Sequence, residues 1–381
     1  MMNGRRRLLT IGHSYSVAVN RRLAHELAAS GDWDVTAAAP AEFHGDFGWH
    51  TTKAEPGERC SVVPIAARFT KPVHVMLYGR PLADLLNQDW DLVHCWEEPY
   101  IVAAAQVARK TPARVPLVFA TFQNIAKRYP PPFNWIERHV LQRADGLVAF
   151  GRTVFDVAVT RGFPEARARV IHPGVDTSLF APDRAARDEV RASLEWRGDD
   201  PVVGFLGRLV PEKGVMQLAA ALDRVRRPWR ALFVGAGPLE GRLREWAASH
   251  GARVAIRTDV GHAEVPRWLN AMDVLAAPSQ STAAWREQFG RMLIEAFACG
   301  VPVVASDSGE IPYVVGDAGL VVPERDQAAW TVTLERVIGD SALRRDLSER
   351  GRRAALASYA WPAVARRHSE FFHAILEGRA A

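Results

Sequence analysis

Two segments gather the side chains best suited to hold a phosphorylated ligand. In GFLGRLVPEKGV (Gly204–Val215), an apolar strand-like run ends at Leu206 and Gly207 lets the backbone turn tightly. Arg208 and Lys213 follow, and Pro211 and Glu212 read as a helix first turn. The segment aims a guanidinium fork, a mobile ammonium and a helix N-terminus at one point, which suits a diphosphate. The second segment, Trp285–Pro312, carries Glu287 and Glu295. On one helix, eight residues would turn the second carboxylate by about 80° and lift it by about 12 Å, a poor dyad. The spacing therefore places Glu287 in a loop, with a helix starting near Gly290 and Glu295 inside it. Glu287 could then accept from sugar hydroxyls and Glu295 from both hydroxyls of a ribose, since an ionised carboxylate is acceptor-only. The free N–H groups of Gly290, Arg291 and Met292 would meet the distal phosphate.

Such groups need rigid strands behind them, and the chain supplies strands in alternation with helices, the mark of βαβ units and parallel sheets. Strands are predicted at Arg7–Gly12, Val35–Ala39, Ser61–Ile65, Leu92–Trp96, Leu117–Phe122, Gly146–Phe150 and Arg169–His172. Helical stretches lie between them, including Val19–Ala29 and Val73–Asn87. In the first of these, Leu23, Ala24, Leu27 and Ala28 share one face, and Arg21, Arg22 and Glu26 are expected in water. After a polar stretch, Ala181–Asp200, a second set of strands begins: Val202–Leu206, Ala231–Val234, Val254–Arg257, Val274–Ala276, Val303–Ala305 and Leu320–Val322. The fold class is thus α/β, with two Rossmann-like doubly wound domains facing across a cleft, and ligands beyond the carboxyl ends of the strands. The expected division is residues 1–175 and 176–360, with 361–381 as a closing helical tail.

Composition narrows the function. The 381 residues carry 48 Lys+Arg against 43 Asp+Glu, a net charge of +5, too weak a field to argue for nucleic acid. The Arg runs at 224–230 and 344–353 sit among acidic residues on helices. The three cysteines are scattered, so no disulfide framework or zinc site is expected and a reducing cytoplasm is the default. No apolar run reaches 18 residues, and no apolar stretch follows the basic start. Arg5, Arg6 and Arg7 read as a solvated lead-in to the first strand, with contact to anionic lipid as the alternative. Gly235–Gly241 (GAGPLEG) misplaces the third glycine of a dinucleotide fingerprint, and no acidic residue ends the next strand. Both DWD triplets, at Asp32 and Asp89, precede strands and read as turns rather than metal sites.

The stretches GRLVPEKG, FVGAGPLEGRL, DVLAAPSQS, EQFGRMLIEAFACGVPVVASDSGEIPYVVGDAGLVVP and VIHPGVDTSLFAP together resemble the retaining nucleotide-sugar glycosyltransferases of family 4 (group 1), which have the GT-B fold. The resemblance runs over nearly the whole chain. It implies that Arg208 and Lys213, with Gly207 at the turn, hold the donor diphosphate. It implies that Glu287 and the Phe289–Gly290–Arg291 backbone hold the donor sugar, and that Glu295 holds the ribose. It further implies that the first domain binds the acceptor and that the helix from Trp361 crosses back to brace it.

The first domain departs from the family pattern. The loop after the first strand is GHSYS, with one glycine instead of several; His13 there either touches acceptor or donor or caps the following helical region. The fifth strand ends in ATFQN, where many relatives carry a histidine; Gln123 can bond a sugar hydroxyl but cannot exchange a proton near neutrality. Glu97 and Glu98 are acceptor-side candidates. The expected reaction is glycosyl transfer from a nucleoside diphosphate sugar to a hydroxyl of a glycan, lipid-linked or small-molecule acceptor. Arg208, Lys213 and Glu287 would act in catalysis, without cofactor or metal. A nucleotide-sugar epimerase and a non-enzymatic sugar-binding protein are the rival readings. The stretch Ala126–Val140, with Lys127, Arg128, Arg138 and His139 among Tyr129, Phe133 and Trp135, is either ordinary packing or a peripheral contact with the inner face of a membrane.

Overall fold

Short runs of Leu, Val, Phe and Ala with no polar alternation suit strands covered on both faces. In the computed structural model, which describes residues 5–45 and 48–378, these runs build two parallel sheets. The chain divides into two compact units, Met1–Gly174 with Trp361–Ala381, and Val175–Ala360.

The first unit holds β1 (Arg6–Ile11), β2 (Trp33–Pro40), β3 (Glu42–Gly45), β4 (Gly48–Thr51), β5 (Ser61–Ile65), β6 (Ala67–Arg68), β7 (Leu77–Tyr78), β8 (Leu92–Cys95), β9 (Leu117–Thr121), β10 (Gly146–Ala149) and β11 (Ala168–Val170). Seven of them form one parallel sheet in the order β11-β10-β9-β8-β1-β2-β5. β3 with β4, and β6 with β7, are separate antiparallel pairs. The second unit holds β12 (Val202–Leu206), β13 (Arg230–Val234), β14 (Val254–Arg257), β15 (Val274–Ala277), β16 (Val303–Ser306) and β17 (Leu320–Val322). These form a parallel sheet in the order β14-β13-β12-β15-β16-β17.

Successive residues of a strand feed opposite faces. Leu9 and Ile11 of β1 pack with Leu117 and Phe119, while Leu8 packs on the other face with Trp33, Phe150 and Phe372. In the second unit Val202 and Val203 divide in the same way. The helix Trp361–Leu376 belongs to the first unit, where it packs on the helix Arg22–Ala29 and receives the Trp33 indole N–H at Ser369 Oγ, 2.8 Å away. Where it meets the sheet, two fully buried histidines face each other, His94 of β8 and the helix's own His368, with ring centroids 5.9 Å apart. His368 Nδ1 donates to the Val364 carbonyl at 2.9 Å, and His94 Nδ1 lies 3.1 Å from Thr10 Oγ1. Neither Nε2 has a partner among the described residues. Burial lowers the pKa of both, that of His368 to about 4.

Several local expectations are corrected. Arg21 does not face water: it is 1% exposed, with Nε 2.7 Å and Nη2 3.0 Å from Glu58. Its Nη1 reaches the Tyr15 carbonyl and its Nη2 the Lys53 carbonyl. Burial is tolerated because these acceptors surround the whole guanidinium fork. The helix expected at Val73–Asn87 is broken into a short turn, the strand β7 and the helix Pro81–Leu86, since Gly79 and Pro81 interrupt it. The helix expected from Val19 becomes regular only at Arg22. The polar stretch 181–200 contains a helix, Arg184–Ser193, started by the Asp183 carboxylate on the Ala186 N–H at 2.9 Å. The DWD triplets lie at the amino ends of strands, where Asp91 Oδ2 caps the Arg7 N–H at 2.6 Å. Among the described residues no helix is long and apolar enough to cross a membrane.

Candidate active site

In the second unit, the carboxyl end of β12 leads through Gly207 into the Arg208 loop. A single turn, Pro211–Lys213, follows, and the helix begins only at Val215. The first helical turn is thus four residues later than the sequence pattern predicts, because Gly214 intervenes at φ 67°. A Cβ there would sit 1.8 Å from the Pro278 carbonyl oxygen, so only glycine lets this loop press against the end of β15. That contact sets Lys213 beside the loop that follows β15.

The same loop carries Glu287 ahead of the helix Arg291–Ala298, whose start is Gly290 at φ 84°. Glu287 is buried, and its Oε2 takes Lys213 Nζ at 2.5 Å and the Ser279 hydroxyl at 3.0 Å. Lys213 Nζ also stands 5.3 Å over the Trp285 ring. Gly309, at φ 56°, passes directly under this residue; a Cβ there would lie 2.1 Å from the Glu287 carbonyl oxygen. The Glu310 N–H then bonds that oxygen at 3.0 Å. Arg208 is exposed, and its guanidinium makes no hydrogen bond or ion pair with a described residue. The Phe289 side chain is buried in the core against Tyr359. The first-turn N–H groups of Arg291 and Met292 have no helical acceptor.

Glu295 sits inside the helix, buried, with Arg291 Nε 3.9 Å away. Burial raises its pKa, and the Arg291 charge partly counters that. Lys213 and Glu287 are therefore brought together ahead of the helix that starts at Gly290, while Arg208 stands in the loop leading to Lys213 and Glu295 lies in the first turns of that helix. Sequence reasoning missed Ser279 and Trp285, which steady the Lys213–Glu287 pair; their only signal was that they lie within the DVLAAPSQS and WREQFG stretches.

The four remaining candidates lie at the carboxyl ends of strands in the first unit. His13 follows β1, and its Nδ1 lies 2.5 Å from Glu97 Oε2, which follows β8. Glu97 is 1% exposed and also accepts the His13 backbone N–H at 2.6 Å and the Tyr78 hydroxyl at 3.0 Å. Burial opposes charge on His13, but the Glu97 carboxylate outweighs it and the pKa is raised. The carboxylate fixes the ring through Nδ1, leaving Nε2 as the free edge, while Phe43 packs on the ring at 5.0 Å. Glu98 spends its oxygens on the Thr121 hydroxyl and the Phe122 N–H, both at 2.7 Å. Burial raises its pKa, and the Phe122 N–H partly counters that. Gln123 Nε2 donates to the Tyr129 hydroxyl at 2.6 Å. Tyr78 and Phe43 were not legible: one lies in the stretch misread as helix, the other on a hairpin that was not foreseen.

Residues 17–179 match Glycosyltransferase Family 4, and residues 186–354 match Glycosyl transferases group 1. A GDP-mannose-dependent alpha-(1-6)-phosphatidylinositol monomannoside mannosyltransferase of Mycobacterium tuberculosis is 33% identical over 319 residues, 79% of this chain and 81% of that protein. The chain belongs to the group 1 glycosyltransferases. Another relative of this glycosyltransferase, from Mycolicibacterium smegmatis and of the same description, is 37% identical over 227 residues; the match spans 57% of this chain and 59% of that protein. A solved sucrose-phosphate synthase from Thermosynechococcus elongatus shares the fold, with a TM-score of 0.73 and 22% identity, covering 98% of this chain and all of that one. The two Rossmann-like units are those of a GT-B glycosyltransferase.

Proposed function

We propose that this glycosyltransferase moves a sugar from a nucleoside diphosphate donor to an acceptor hydroxyl with retention at the anomeric carbon. The observation that carries the reading is the Lys213–Glu287 pair, 2.5 Å apart ahead of the helix that starts at Gly290, with Arg208 exposed in the loop that leads to Lys213. In the reaction the bond from the anomeric carbon to the diphosphate ionises. Arg208, Lys213 and the N–H groups of Arg291 and Met292 stabilise the charge that grows on the leaving oxygens. Preorganised charge of this kind supplies most of the rate acceleration in many enzymes. Glu287 gives up part of its hold on Lys213 and accepts from donor sugar hydroxyls, while Glu295 accepts from the ribose diol.

No side chain of the second unit is assigned as a covalent nucleophile. The acceptor hydroxyl attacks on the face the diphosphate leaves, and its proton passes to the leaving phosphate oxygen. The first unit holds the acceptor, with His13 and Gln123 as its polar contacts; Glu97 and Glu98 act by holding His13 and the end of β9. Arg208 and Lys213 supply the positive charge, so transfer needs no metal.

GDP-mannose is the donor to test first and a lipid-linked sugar alcohol the acceptor, because two relatives are described as acting on such compounds. Nucleotide sugars screened by thermal shift and by release of nucleoside diphosphate test the reading. A donor should raise the melting temperature and be turned over in EDTA. Activity lost in chelator and restored by manganese would exclude the metal-free mechanism. Failure of every nucleotide sugar to bind would exclude the donor site.

A further inference from the structure

The helix Phe133–Arg143 is packed lightly: among its eleven residues only Val140 is buried. Trp135 is 65% exposed, and Arg138 and His139 follow it at the three- and four-residue spacings that share a helix face. Lys127 and Arg128, both exposed, stand in the loop that leads into the helix. A second loop meets the start of this helix, where the His74 ring lies 6.1 Å from that of Phe133. That loop carries exposed Arg68 and Lys71 and projects Phe69, 62% exposed, with its backbone held at φ 56°. A non-glycine residue in that region is strained, so the surrounding structure enforces the projection.

The charge is one-signed. From Pro99 to Ile136 the sequence holds no Asp or Glu, and none occurs between Ser61 and Ala83. The one acid of the exposed helix, Glu137, is already paired with Arg161 at 2.5 Å. A groove of about 460 Å³ beside Arg138 is lined by Asn134, Glu137, Arg138, Arg161 and Arg167, so three cations face the one acid.

We infer that this face, with Phe69 and Trp135 as its apolar points and Lys71, Lys127, Arg128 and Arg138 as its cations, docks on an anionic lipid bilayer. Indole and phenyl side chains enter the headgroup layer while the cations meet lipid phosphates, and the two effects together give a stable peripheral contact where either alone is weak. Exposed aromatics set among cations, with no competing acid, match a negatively charged interface better than a protein partner, which would call for a buried apolar centre. The inference is independent of the transfer chemistry.

Vesicle flotation of the purified full chain tests it. The protein should float with phosphatidylcholine vesicles containing about 30% phosphatidylglycerol, stay behind with phosphatidylcholine alone, and be released by about 0.5 M salt. Lys127→Glu with Arg138→Glu should lower the partition coefficient by at least about 25-fold, at about fivefold per cation. Trp135→Ala should lower it severalfold, which salt bridges alone would not explain. Arg242→Glu with Arg345→Glu, an equal charge change on exposed helices of the second unit, should leave it unchanged. Circular dichroism and melting temperature confirm that each variant folds. Wild-type protein that stays behind with anionic vesicles, or equal losses in both double variants, overturns the inference. Displacement by millimolar inorganic phosphate with no effect of Trp135→Ala would show a free-phosphate site in the groove and also overturn it.

Discussion

Lowering the pH should loosen the first unit through His368, and the size of the effect follows from its burial. The ordinary histidine value of 6.5 falls to about 4 for His368 because burial disfavours the charged ring, although the carbonyl of Val364 favours it slightly. The unfolded chain therefore binds a proton between pH 6.5 and 4 that the folded chain refuses. Stability is complete above pH 6.5 and is lost as pH falls toward 4. For a drop from pH 7.5 to 5 the linkage gives about 2 kcal/mol, and below pH 4 about 3 kcal/mol. His94 is shifted in the same direction and adds to the loss. The assay is urea unfolding at both pH values, followed by tryptophan emission, for the wild type and for His368→Leu. Leucine fills much of the same space and cannot titrate, so the variant should lose about 2 kcal/mol less on acidification than the wild type. An identical pH response in the two proteins would refute the reasoning.

Three further outcomes are expected. Lys213→Ala should lower kcat by about 10²–10³ with the fold intact by circular dichroism, since a preorganised charge at the leaving group is removed; near-wild-type turnover would remove Lys213 from the chemistry. Glu97→Gln should lower the pKa of His13 below its ordinary value, because burial remains when the carboxylate charge is gone; the shift is read from the His13 Cε1–H signal in an NMR titration, where no change would mean that Glu97 does not govern the ring. Arg21→Ala should cost about 3 kcal/mol in urea unfolding, because it empties a buried site and takes the donor from the Tyr15 and Lys53 carbonyls as well as from Glu58; a loss under about 1 kcal/mol would place the pair among ordinary surface bridges.

Much of the fold was legible because fully covered parallel strands leave short runs such as LVFAT and VVGFL, each bounded by turn residues. Ser61–Ile65, Val202–Leu206, Val254–Arg257 and Leu320–Val322 appear with the predicted bounds. The hairpin of β3 and β4 was not legible: its residues, EFHG and GWHT, pair only with each other and show no buried alternation. Arg21 was misread because its partner, Glu58, lies 37 residues away, and periodicity within one helix carries no information about it. Arg208 and Lys213 stood out because cations flanked by glycines just after a strand have few structural uses, and Glu287 and Glu295 because their spacing puts one in a loop and the other in the helix that follows. Their supports, Ser279 and Gly309, did not, because what they do depends on contacts between loops far apart in the chain.

The return of the helix Trp361–Leu376 to the first sheet has a consequence for how the protein is made. Leu8, Trp33 and Val148 stand on the face that Val364, Phe371 and Phe372 cover. On the ribosome, those apolar residues emerge long before their cover is synthesised, with the whole of the second unit translated in between. Domains generally complete in order of synthesis; here the earlier one must wait, unsealed, for Trp361–Leu376. A stop codon near residue 360 would therefore spare the second unit and leave the first with a sticky, aggregation-prone flank.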